Sequence, residues 1–275
     1  MDIDLAHVLE ELPPFSKAVE KLLQTMQKGT ASPHELESLL IACPVIAGRV
    51  LHIANSTFYG FSREITSIRE AIVILGQHTL QNLVYTVAVI DQFSHCDKSA
   101  GIDINNVWLH SLYSACAAQV FASERQLKTQ DLFTAGVFQH LGLAILIFCR
   151  PQALLSALAE TARMHSDIRS GIETALGVNY CELSERALET WLFPIEVCRL
   201  TNSGQKGAED IRASILELSN CLADAMGFTL SPGLYAPIVS SEMTPYLTQQ
   251  VRDMVPLLGR VESLFTEMRQ GFLNS

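Results

Sequence analysis

Apolar residues recur three and four positions apart along almost the whole chain, and no stretch with a period of two competes, so the pattern predicts an all-α protein. After an opening helix and the Leu12-Pro13-Pro14 break, residues 18, 19, 22, 23 and 26 make a helical stripe. Ser32-Pro33-His34-Glu35 and Ser67-Ile68-Arg69-Glu70 read as capping boxes that open two further helices. Between them a helix starts at Pro44 and is carried by the pattern to Gly60, with Ile46, Val50, Ile53 and Ala54 on its buried face. Gly76 separates SIREAIVIL from TLQNLVYTVAVIDQF, and a hydrophilic loop from Ser94 to Asn106 precedes a helix that begins at Val107-Trp108 and reaches about Phe121.

The densest apolar stretch follows, DLFTAGVFQHLGLAILIF from Asp131 to Phe148, read here as one central helix. Thr129 is a candidate N-cap and Pro151 the stop. Gly136 and Gly142 mark places where another helix comes close, because glycine inside a helix costs about 1 kcal/mol against alanine without such a reason. Only Gln139 and His140 interrupt the apolar surface, which makes them the first candidates for chemistry. Downstream come PQALLSALAETARMH, an acidic helix around Ile172, ELSERALETWLFP, and IRASILELSNCLADAMG ending at Gly227. In the tail, Leu247, Val251, Met254, Leu258, Val261, Phe265 and Met268 form a heptad stripe interrupted by Pro256 and Gly259. It reads either as a kinked helix packed on its own domain or as a homodimer seam.

Composition narrows the function. The formal net charge of -10 and the lack of any basic run argue against nucleic acid or anionic lipid as partners. Seven cysteines without a CxxC pair lie mostly in apolar helical patterns, as small reduced hydrophobes of a cytoplasmic protein. The N-terminus is acidic where a signal peptide is basic, and no apolar run is counted that reaches the roughly 18 residues of a membrane span.

Several segments in order, LPPFSKAVEKLL, HELESLLIACPVIAGRVLHIANSTFYG, ITSIREAIVILG, VWLHSLYSA, AGVFQHLG and ALETWLFP, resemble the HDOD domain, an all-helical bacterial signalling module related to the HD phosphohydrolases. The resemblance implies an HD-like helical bundle over residues 9–205, with parts 9–100 and 101–205, and a C-terminal helical extension, 206–275, packed on it. HD phosphohydrolases hold a divalent metal with a histidine, a His-Asp pair and a distant aspartate, and the metal acidifies a bound water. Carried onto this chain, the first histidine is His110, the pair falls on Gln139 and His140, and the aspartate on Asn220. A histidine pair that some relatives keep after the WxLP segment is absent near Ser203-Gly204-Gln205.

With both carboxylates gone, the resemblance implies the fold of a hydrolase without its chemistry, with no metal and no cofactor. His110, Gln139, His140 and Asn220 then form a vestigial pocket, with His140 read as a buried imidazole held by hydrogen bonds. Asn55, Ser56 and Tyr59 read either as an interaction surface or as a helix C-terminus whose side chains bond freed carbonyls. The expected function is a non-catalytic regulatory module that contacts a signalling protein in trans, such as a response regulator or a cyclic-di-GMP enzyme. A divergent metal-dependent phosphohydrolase and a small-molecule sensor using the pocket stand as alternatives.

Overall fold

The computed structural model describes residues 4–94, 103–127, 130–202, 210–230 and 251–273. Among these residues every regular element is an α-helix. The chain separates into two compact units, one made of residues 1–12 and 96–262 and the other of residues 13–95 and 263–275. The segment expected as a C-terminal extension is therefore divided between them. Candidate residues Thr129, Ser203, Gly204 and Gln205, and the stretch from Tyr235 to Thr244, lie outside the described residues.

Helix α1 (Leu5–Glu10) belongs to the first unit, where Glu11 just beyond it takes two bonds from the Arg150 guanidinium, at 2.5 and 2.7 Å. The second unit opens with α2 (Lys17–Gln27), α3 (Pro33–Ile41) and α4 (Pro44–Ala54). The hydroxyls of Ser16 and Ser32 accept backbone N–H groups from Val19 and Glu35, as the serine positions predict. Then come α5 (Ile68–Leu75), capped by Ser67, and α6 (Gln77–Ser94), reached through Gly76 at a φ of +76°. Glu70 completes the cap by accepting the Thr66 N–H at 3.0 Å.

Helix α4 stops at Ala54, six residues short of the Gly60 that the pattern indicates. The cause is Asn55, whose carboxamide donates to the carbonyls of Leu51 and Ile65, at 3.0 and 2.8 Å, and accepts the Ile65 N–H at 2.7 Å. Ser56 donates to the Ile53 carbonyl at 2.6 Å. These bonds satisfy the freed helix end and fasten the following loop beside the buried Ile65.

In the first unit, α7 (Ile104–Glu124) is capped by Asp103 and packs against α8 (Gln130–Phe138) and α14 (Ile211–Ala225). Asp131–Phe148 is not one helix. It is broken at Gln139 and His140 into α8 and α9 (Leu141–Cys149), with His140 at φ −108° and ψ 17°. Three further helices follow α9, namely α10 (Pro151–Met164), α11 (Ile168–Leu176) and α12 (Tyr180–Thr190), and then α13 (Ile195–Thr201).

The break is made by α12. Ser184 accepts the Gly142 N–H at 2.7 Å, the donor that an unbroken helix would turn toward Phe138. A Cβ on Gly142 would stand 1.9 Å from the Tyr180 carbonyl oxygen, so only glycine admits this approach. Gly136 likewise faces α7, where a Cβ would lie 2.8 Å from Ala115 Cα. Both interior glycines thus mark close helix crossings.

Contrary to the count made from sequence, Gln130–Cys149 is long and apolar enough to span a membrane, but it is mostly buried inside the protein. In α15 (Val251–Phe272) the heptad stripe is occupied within the chain: Val261, Phe265 and Met268 are buried, together with Leu257, Leu264 and Phe272. Pro256 is accommodated inside this helix. Leu247 lies outside the described residues.

Candidate functional site

Four side chains singled out in the sequence meet in the first unit. One turn apart on α7, His110 and Ser114 face the α8–α9 break, which supplies Gln139 and His140, while α14 supplies Asn220. The amides of Gln139 and Asn220 bond each other in both directions. Gln139 Nε2 donates to Asn220 Oδ1 at 2.6 Å, and Asn220 Nδ2 donates to Gln139 Oε1 at 2.8 Å. Ser114 donates to the same Asn220 oxygen at 2.9 Å and accepts from Gln139 at 2.9 Å. His110 Nε2 and His140 Nε2 stand 3.3 and 3.4 Å from it, with the two rings edge-on at 4.9 Å. Asn220 Oδ1 is the hub of the cluster.

The hydrogen-bond pattern assigns the imidazole protons. His110 Nδ1 bonds the Phe228 carbonyl oxygen, which only accepts, so this nitrogen carries a proton. Burial holds His110 below the ordinary imidazole range against the pull of the Phe228 and Asn220 oxygens; in the neutral ring Nε2 has no proton to give, so it touches the hub oxygen without a hydrogen bond. His140 lies well below that range because of burial, then the charges of His110 and Arg169. Its Nδ1 is 3.3 Å from the Tyr180 hydroxyl, whose oxygen is bonded by Arg169. The Tyr180 proton therefore points at Nδ1, and His140 donates through Nε2 to Asn220.

Sequence reasoning missed Ser114, Tyr180, Ser184 and Asp224. Ser114 and Asp224 stand four residues after His110 and Asn220, one helical turn away, which is the one signal that would have found them. The Asp224 carboxylate is 3.5 Å from His110 Nδ1, and burial pushes its pKa up to about 6. Next to Ser114 in the chain, Tyr113 donates to Glu262 at 2.7 Å and stacks on Phe228 with ring centres 4.7 Å apart.

The divalent metal of HD enzymes does not fit these residues. Among the described residues no three His, Cys, Asp or Glu side chains are grouped to hold a metal ion. Two of the four positions carry neutral amides whose donors and acceptors are used on each other. A hard cation needs anionic oxygens there, and the carboxylate of Asp224 lies at Nδ1 of His110, away from the lone pair of Nε2. The chemistry this arrangement performs is mutual hydrogen bonding: it joins α7, α14 and the α8–α9 break across otherwise apolar surfaces.

Asn55, Ser56 and Tyr59 belong to the other unit. The first two make the helix-terminal bonds described above, and the Tyr59 ring packs edge-on against Phe58 and parallel to Phe61, at 4.7 and 6.1 Å. Burial raises the pKa of the Tyr59 hydroxyl. Six cysteines among the described residues are free thiols.

The fold and the cluster define an all-helical protein with a buried polar site in which amides stand at two of the four aligned positions and the one neighbouring carboxylate, Asp224, lies on the outer nitrogen of His110. The family model of the HDOD domain matches residues 12–206, and the chain belongs to that family. Comparison with curated proteins gave no match. Among solved structures, the chain is similar to an HDOD domain protein of unknown function from Geobacter sulfurreducens, at 20% identity and a TM-score of 0.66, with 98% of each chain covered. A protein from Shewanella amazonensis, provisionally named a phosphohydrolase, is 22% identical with a TM-score of 0.69, covering 98% of this chain and 97% of that one. A protein from Marinobacter aquaeolei, provisionally named a signal transduction protein, is 21% identical with a TM-score of 0.66, over 98% of this chain and 62% of that one. At these identities the likeness shows the fold.

Proposed function

We propose that this chain is a non-catalytic regulatory module of bacterial signal transduction, acting in the cytoplasm through contacts with a signalling protein in trans. Membership of the HDOD family supports a signalling role. The observation that carries the non-catalytic part is the reciprocal Gln139–Asn220 pair, at 2.6 and 2.8 Å, in the place where a phosphohydrolase needs acidic ligands. A buried amide pair supplies neither the negative charge that retains a metal nor a base that activates water. Its bonds fix two backbones instead, at about 1 kcal/mol net each.

The test is turnover of generic phosphodiester and phosphomonoester substrates by purified protein, with and without manganese, beside His110→Ala. The expected result is background hydrolysis for both proteins. Manganese-dependent turnover that disappears in His110→Ala would overturn the reading and restore the hydrolase.

A further inference from the structure

The corner between α12 and α13 carries a residue that its backbone does not favour. Helix α12 closes with two short bonds, from the Leu192 N–H to the Glu189 carbonyl at 2.9 Å and from the Phe193 N–H back to the Leu188 carbonyl at 3.0 Å. That arrangement places Leu192 in the left-handed region, at φ +58°, where glycine is the usual residue. The other described non-glycine residues with positive φ, Gln126 and His165, are polar. Leu192 is bulky and apolar, and it is 61% exposed, so packing inside the protein does not compensate for the strained conformation.

Its neighbours hold it firmly. Phe193 is buried, edge-on to Phe138 at 5.2 Å, and Pro194 caps the next helix. On either side, Trp191 is partly buried and Ile195 is 51% exposed. The charge around this corner is negative. Glu189 is exposed, and no cation among the described residues pairs with it. Glu185 bonds Asn202, a neutral group, at 2.7 Å. The nearby Arg186 and Arg199 are engaged by Glu182 and Glu196, at 2.6 and 3.8 Å.

We propose that Trp191, Leu192 and Ile195 form a docking knob, and that its occupant is an amphipathic helix of a partner protein with lysine or arginine bordering the apolar face. The apolar corner supplies the anchors and the unneutralised Glu185 and Glu189 select the basic border. The proposal rests on the regulatory reading only in taking the occupant to be a protein.

The chain has two tryptophans, and Trp108 is 2% exposed, so a change in tryptophan emission on binding reports on the partly exposed Trp191. The full chain is titrated with a synthetic amphipathic helical peptide, leucines on one face and lysines along its borders, and with a counterpart whose lysines are all glutamates. The lysine peptide is expected to shift Trp191 emission to shorter wavelength and to saturate; the glutamate peptide is expected to do nothing. Leu192→Gly is expected to keep or raise the midpoint of thermal unfolding, because glycine suits the backbone, while weakening the peptide roughly tenfold or more.

A lower unfolding midpoint in Leu192→Gly would overturn the proposal, because Leu192 would then be a packing residue. So would equal responses to the two peptides, a shift that survives in Trp191→Phe, a shift produced by anionic phospholipid vesicles instead, or one that grows with the protein's own concentration. Failure here leaves the polar cluster and the regulatory reading intact, and metal-dependent turnover would sink that reading without changing these binding results.

Discussion

At the scale of single residues the account turns on Asn220, whose side-chain oxygen gathers Gln139, Ser114 and His140. Removing one partner leaves buried polar groups without a bond, which costs about 1–3 kcal/mol. Asn220→Ala and Gln139→Ala are each expected to lose that much in denaturant unfolding, and the double variant to lose clearly less than the sum. Additive losses would mean that the amide pair is not a unit. The cluster also sets an acid response. His110 and His140 are held below their ordinary value of 6.5, so as pH falls through 6.5 the unfolded chain takes up protons that the folded one refuses, and stability drops. Asp224 works the other way: raised from 3.8 to about 6, it binds its proton more tightly when folded, so acidification between those values returns some stability. In Asp224→Asn the loss below pH 6 should be steeper than in the parent protein, as measured by urea midpoints across pH. An unchanged slope would contradict the assigned burial. Gln139 and His140 were legible because polar side chains stand out in an apolar helix, while His110 and Asn220 were reached only through the resemblance to the HD motif. Ser114 and Tyr180 were not, since serine and tyrosine sit in helix interiors without announcing a partner.

At the scale of elements, the break between α8 and α9 was invisible in the sequence for a physical reason. An unbroken run of apolar residues states only that both halves are buried; the bond that replaces the helix ladder comes from Ser184, 42 residues away. The shortening of α4 had the same origin in a side chain, since Asn55 bonds Ile65 ten residues on. Capping serines, by contrast, act locally and were read correctly at Ser32 and Ser67. The interior glycines give a ranking. Gly142→Ala would press a methyl group to 1.9 Å from the Tyr180 carbonyl oxygen, a backbone atom that cannot step aside, and is expected to abolish cooperative unfolding or cost more than about 3 kcal/mol. Gly48→Ala in α4 meets nothing within 4 Å and should stabilise by about 0.5–1 kcal/mol. Equal thermal midpoints for the two variants would contradict the close crossing at Gly142.

At the scale of the molecule, the chain leaves the first unit and returns, and α15 contributes to both compact units. Within the first, Tyr113 bonds Glu262. Within the second, Glu267 accepts the Thr57 N–H and hydroxyl at 2.7 and 2.9 Å, and Gly271 lies close against Ile53. Truncation after Glu262 is therefore expected to loosen the α4 end of the second unit, seen as faster amide exchange at Thr57, and unchanged exchange there would contradict it. The helical pattern foretold the all-α architecture, but not this division, because periodicity reports burial and not which elements share a core. The central claim concerns the polar cluster: its residues are spent on one another at the positions that the resemblance aligns with the HD metal ligands. The measurement that tests it most directly is calorimetric titration of chelator-treated protein with manganese, with the thermal unfolding midpoint followed in parallel. The account predicts no saturable heat and an unmoved midpoint; one manganese ion bound per chain, lost in His110→Ala, would contradict it.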